Sequence, residues 1–143
     1  MLDTNWLLED QRHLYHRYQS MRRRIEQIEK EWVSVPFHWD TNQLAYISSV
    51  ADQYQALCAH EIDWRMNQYL AFERTAQEAD DAEYAQLQRD QMRHYWDALT
   101  EWRHEAEQSR TLVQRVERGV TIYQAYHERT IAEHATYLER VQP

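Results

Sequence analysis

The chain has 143 residues, a length typical of one domain, and its net charge is −8. It contains one Gly and two Pro, which is too few for the regular turns of β-sandwiches and α/β folds. Gln, Glu, Arg, Ala and Leu are abundant, and these residues favour helices. The composition therefore predicts an all-α protein, and the acidic charge disfavours a general nucleic-acid-binding protein.

The cysteine content and the N-terminal residues indicate in which cellular compartment the protein is expected. Cys58 is the only cysteine, which excludes an intrachain disulfide and a cysteine-based metal cluster. The N-terminal stretch carries Asp3, Glu9 and Asp10 and lacks the basic and apolar regions of a signal peptide. No apolar run approaches the length that spans a bilayer. We therefore expect a cytoplasmic protein.

The first predicted helix covers residues 4–34. Asp3 or Thr4 is expected to cap it, and Pro36 is expected to end it, because the residue before a proline disfavours the helical conformation. Alternating spacings of three and four, with one polar exception, indicate a heptad seam. The seam consists of Leu7, Gln11, Leu14, Tyr18, Met21, Ile25, Ile28 and Trp32.

The second predicted helix covers residues 40–74. Asp40 and Gln43 have the spacing of a capping box, and Trp39 with Leu44 fits the hydrophobic staple that accompanies such a box. The apolar stripe that follows consists of Ile47, Ala51, Tyr54, Cys58, Ile62, Met66 and Tyr69.

The third and fourth predicted helices cover residues 80–108 and 111–141. Asp80 and Glu83 offer a capping box for the third, and Ser109 or Thr111 is expected to cap the fourth. Four helices of matched length predict a single-domain, up-down-up-down bundle over residues 1–143. The alternative is a bundle of three helices in which one very long C-terminal helix runs unbroken through residues 109–111.

One pair of residues raises the possibility of a metal centre. Glu101 and His104 form a Glu-x-x-His pattern, which resembles half of the di-iron signature of ferritin-like proteins. The sequence lacks a second such pair, so we expect no cofactor. It also lacks a glycine-rich phosphate loop and a serine nucleophile motif, and these absences favour a non-enzymatic protein.

Five arginines, with no acidic residue among them, lie between residues 12 and 24. Because they contribute +5 to a net charge of −8, the rest of the chain carries −13. In an antiparallel bundle this stretch is expected beside residues 53–65 and 120–132, whose acids are Glu61, Asp63 and Glu128. This basic block is the candidate site for binding a protein partner, and it consists of Arg12, Arg17, Arg22, Arg23 and Arg24.

The sequence thus favours a helical protein–protein interaction module, such as an adaptor, an assembly subunit or an inhibitor, that also self-associates. Large aromatic residues on the predicted apolar faces support a contact role, because Trp and Tyr are enriched at interfaces. One alternative is a bundle that binds a metal through Glu101 and His104 or a small ligand between its aromatic rings. The second alternative is a nucleic-acid contact through the basic block.

Overall fold

The computed structural model describes residues 2–31 and 39–141, except for the side chains of residues 122 and 123. Within these ranges there are three α-helices and no strand: α1 (Glu9–Glu31), α2 (Thr41–Glu78) and α3 (Ala82–Val141). The all-α class and the helical bundle are confirmed. The four-helix version is wrong, since α3 alone spans the two ranges 80–108 and 111–141 that were predicted as separate helices. Only residues 80 and 81 of those ranges lie outside it. The alternative with one very long C-terminal helix is the observed architecture.

Helix α1 begins five residues later than predicted, because Asp3 stabilises a local turn instead of capping a helix. Its carboxylate accepts hydrogen bonds from the backbone N–H of Asn5 at 3.0 Å and from Trp6 Nε1 at 3.1 Å. Side chains that bond to nearby backbone in this way compete with helix formation. The helix starts instead where Gln11 Oε1 accepts the backbone N–H of Leu8 at 2.9 Å. Trp32 and Pro36 lie outside the described residues.

Helix α2 begins as the sequence predicts. Gln43 N–H donates to Asp40 Oδ1 at 2.7 Å, and Asp40 N–H donates to Gln43 Oε1 at 2.9 Å, so both halves of the capping box are present. The helix continues to Glu78, four residues past the predicted end. The next helix is capped by Asp81, not Asp80, because Asp81 Oδ1 accepts the backbone N–H of Glu83 at 3.4 Å.

Helix α3 passes through the predicted break because neither candidate cap is available. Ser109 is fully buried, and its Oγ accepts a hydrogen bond from Gln55 Nε2 at 3.2 Å. The Thr111 hydroxyl donates to the carbonyl of Glu107 at 3.0 Å, which is a bond within the helix. Gly119 does not adopt a positive φ, so the helix continues through it as well.

The directions of the three helices follow from side-chain contacts. Hydrogen bonds join Gln19 to Glu105, Arg22 to Gln108 and Arg115 to Glu29, always 86 residues apart, so α1 runs parallel to α3. Helix α2 packs antiparallel to α3 through a short turn at residues 79–81. The core lies between the helices, where the rings of Tyr18 and Tyr54 stack with centroids 3.9 Å apart.

The last part of α3 extends beyond its neighbours. Helix α2 has 38 residues and α3 has 60, so an antiparallel pair leaves the end of α3 without a neighbour in the described part of the chain. Val120 is the last described buried residue, and every described side chain from 121 to 141 is exposed. We call residues 121–141 the overhang. At 1.5 Å per residue it is about 31 Å long.

Candidate functional site

The basic block lies on α1, where its arginines have two different environments. Arg12, Arg17, Arg23 and Arg24 are exposed, and none of the four forms an ion pair with another described residue. Arg22 is half-buried and already engaged within the fold. The structure therefore leaves four of the five arginines available to a partner.

The contacts of Arg22 also correct the predicted neighbours of the block. Its Nη1 lies 3.7 Å from Glu105 Oε2, and its Nε lies 3.7 Å from Glu26 Oε1. Of the two stretches predicted beside the block, residues 53–65 do pack against α1, since the Tyr54 ring stacks on that of Tyr18, but Glu61 in that stretch is paired with Arg65. Residues 120–132, which include Glu128, do not lie beside the block, because they continue α3 and α1 runs parallel to that helix, with Gln19 and Arg22 contacting Glu105 and Gln108.

A cleft of about 850 Å³ separates the C-terminal half of α1 from the start of α2. Arg17 and Arg24 lie at its edge, and Met21, Ile25 and Trp39 are among its apolar lining residues. The exposed part of the basic block therefore borders an apolar surface, a combination that suits contact with an amphipathic partner.

A polar cluster links all three helices inside the core. Glu105 Oε2 accepts hydrogen bonds from the Tyr54 hydroxyl at 2.8 Å and from Gln19 Nε2 at 3.2 Å. Burial is the main cause that raises the pKa of Tyr54 above its ordinary value, and the nearby Cys58 and Glu105 reinforce it. Burial likewise raises the pKa of Cys58 to about 12. Because the thiolate is the nucleophilic form, Cys58 is an inert core residue.

A second buried polar pair lies on α2. The Arg65 guanidinium donates to the Glu61 carboxylate, and the two residues are only 3% and 6% exposed. The same guanidinium lies 5.3 Å from the Trp64 ring centroid and 5.7 Å from that of Trp102. Indole rings and a carboxylate stabilise the cation together. The pair joins α2 to α3 and is a structural feature of the core.

The structure does not assemble a metal centre around Glu101 and His104. Both residues are exposed on α3. Among residues 2–31 and 39–141, no group of three or more His, Cys, Asp or Glu side chains is arranged to hold a metal ion.

The aromatic rings pack mainly on one another. Trp64 lies between two rings, with centroid distances of 5.9 Å to Trp6 and 5.8 Å to Tyr95. The cleft beside them measures about 150 Å³, less than the volume of a typical small-molecule pocket. These contacts are those of large aromatic side chains that pack on one another at the edge of the core, with Trp6 still 59% exposed.

The overhang carries a seam of three apolar residues and two histidines that sequence analysis did not single out. His127, Ile131, His134, Leu138 and Val141 alternate at spacings of four and three, so they share one face of α3. Ile131, Leu138 and Val141 are 56%, 43% and 54% exposed. The pattern was visible in the sequence, but the predicted helix break at residues 109–111 assigned this face to the interior of a bundle.

Comparisons do not relate the chain to a known protein. Neither the protein-family models nor the curated proteins nor the solved structures contain a match for it. Within the described residues, no helix is long and apolar enough to cross a membrane. The function must therefore be inferred from the surfaces of the molecule itself.

Proposed function

We propose that this protein is a non-enzymatic helical interaction module whose main contact element is the overhang. The observation that carries the proposal is the exposure of every described side chain from residue 121 to residue 141 on a single helix. Most helix stability in proteins comes from packing an apolar face against a neighbour. The overhang has such a face, and a partner would supply the missing packing.

The seam of the overhang continues the face that α3 uses inside its own bundle. Val116 and Val120 are buried against the other helices, and the same stripe runs on through Ile131 and Leu138 after the bundle ends. The seam carries no Asp, Glu, Lys or Arg. The charged residues of the overhang all lie off the seam: Glu128, Arg129, Glu133, Glu139 and Arg140.

This distribution is typical of a helix that packs against another helix. Apolar positions spaced three and four apart form knobs that fit between the side chains of a facing helix. Binding of an amphipathic helix through such anchors is a common mode of protein recognition. The partner would therefore present a helical face of similar length, without charged residues and with apolar residues at matching spacing.

Paired variants of the full chain test the proposal. Ile131→Glu combined with Leu138→Glu adds two negative charges to the seam. Ala132→Glu combined with Thr136→Glu adds the same charge to the outer face of the same helix, since Thr136 lies opposite the seam. Both variants are first checked for native helix content.

The readout is the set of proteins, including untagged copies of the chain, that a tagged chain retains from cells that make it naturally. We expect the seam variant to lose its partners and the outer-face variant to keep them. Equal retention by the seam variant and the wild type would show that the overhang is not the contact element.

A further inference from the structure

We propose that the partner of the overhang is the overhang of a second copy of this chain, paired in the antiparallel direction. This inference rests on the proposed function, and it specifies the partner that the interaction module binds. Three features of the structure point to this occupant: the place where α2 begins, the distribution of charge and the spacing of the seam.

The first argument is the position beside α3 that lies beyond the start of α2. Helix α2 packs antiparallel to α3 and begins at Thr41, close to the level of Val120. Beyond that level, no second helix of the described part of the chain lies along the overhang. The overhang of a second copy, entering antiparallel, would continue the line of α2 and cover the same stripe of α3.

Parallel pairing does not fit this geometry. A second α3 running in the same direction along the same seam would place its residues 82–120 in the position that α2 already occupies. The antiparallel arrangement avoids the collision, because the two three-helix regions then lie at opposite ends of the paired overhangs.

The second argument is charge. The overhang carries a net charge of −1, from three Glu and two Arg, whereas the rest of the chain carries −7. Two copies therefore repel one another least through their overhangs. Antiparallel pairing also separates the two acidic regions by roughly 27 Å of paired helix, which is beyond the Debye length of about 8 Å at physiological salt.

The third argument is the register of the seam. In an antiparallel pair, Ile131 of each copy would face His134 of the other, and Leu138 would face His127. Gln124 would face Val141 in the outermost layer. The overlap then runs from 124 to 141 and ends before it reaches the start of α2.

The size of this contact sets its expected strength. The paired stripe would be about 27 Å long on a helix about 10 Å wide. This area is smaller than the roughly 800 Å² per partner of a standard stable interface. We therefore expect a weak dimer that dissociates reversibly on dilution.

Disulfide trapping of the full chain tests the pairing and its direction. In the antiparallel register, His127→Cys and Leu138→Cys in one chain would place each new thiol against its counterpart in the second copy. The same two positions are about 16 Å apart within one helix, too far for an intrachain bond. The native Cys58 is fully buried and does not compete.

We expect the double variant to form a covalent dimer on mild oxidation. Leu138→Cys alone should not cross-link, because the two copies of residue 138 would also be about 16 Å apart. Arg129→Cys with Thr136→Cys, on the outer face, reports the rate of random collision. Faster cross-linking of the double variant than of both controls supports the antiparallel pair.

Two results would overturn the inference. Rapid cross-linking of the single Leu138→Cys variant would indicate parallel pairing. Cross-linking of the double variant no faster than the outer-face control, together with a mass of 17.6 kDa at all concentrations in sedimentation equilibrium, would show that the chain does not pair with itself. If a monomeric chain still retained another protein through its seam, the proposed function would stand and only self-pairing would fail.

Discussion

Replacing Arg65 with Met would remove the cation from the buried pair on α2 while keeping much of the side-chain volume. Glu61, which is 6% exposed, would then be left without an ion-pair partner in the described part of the chain. Removing one member of a buried ion pair costs about 3–5 kcal/mol, because an uncompensated charge stays buried. The contacts of the guanidinium with Trp64 and Trp102 would be lost as well. We therefore expect the free energy of unfolding to fall by about 4 kcal/mol.

Urea unfolding at one fixed protein concentration, followed by the helical circular-dichroism signal, measures this loss. The double variant Glu61→Leu with Arg65→Met removes both charges, so its stability should be close to that of the wild type. Arg103→Met is the exposed control, since Arg103 lies 5.9 Å from the Trp96 ring on the surface, and it should cost less than about 1 kcal/mol. The reasoning is refuted if Arg65→Met costs no more than Arg103→Met.

Three further predictions concern the cap of α2, the buried thiol and the basic block. Asp40→Ala should reduce the free energy of unfolding by about 1 kcal/mol in urea titrations, and a change near zero would mean that the capping box is dispensable. Burial raises the pKa of Cys58 from 9.0 to about 12, so the folded state holds this proton more tightly than the unfolded state. The contribution of Cys58 to stability should therefore be constant below pH 9 and be lost as the pH rises from about 9 towards 12, so unfolding of Cys58→Ala should show a smaller loss over that range. A labelled DNA duplex should not bind at physiological salt, because the acidic remainder of the chain repels it; binding abolished by Arg23→Gln with Arg24→Gln would contradict this expectation.

Local sequence patterns were sufficient wherever the decisive interaction joins residues close in the chain. The capping box of Asp40 and Gln43 spans three residues, and the structure contains both of its hydrogen bonds. The stripe of α2 is likewise a property of one helix, and its members from Ile47 to Cys58 are buried as expected. The low Gly and Pro content predicted the all-α class for the same reason, since helix propensity acts residue by residue.

Local patterns were insufficient wherever two structures competed for the same side chain. An Asp at position 3 can cap a helix or stabilise a turn. In the structure its carboxylate accepts hydrogen bonds from Asn5 and Trp6, and the turn forms. Ser109 could have capped a new helix, but a tertiary contact with Gln55 buries its hydroxyl in the core. The contacts of the candidate site were the hardest to predict. The neighbours of Arg22 depend on α1 running parallel to α3, which no local pattern in the sequence indicates.

The sequence by itself determined the spacing of apolar residues along the seam, because heptad spacing needs no knowledge of neighbouring helices, whereas the structure showed that one unbroken helix carries the seam to residue 141. Only the tertiary structure decided that this seam is exposed after Val120. The reason is a difference in length: α2 has 38 residues and α3 has 60, and a helix can cover its antiparallel neighbour only along its own length. Spacing within a helix defines which face is apolar, whereas the lengths and directions of the packed helices define which part of that face remains for a partner.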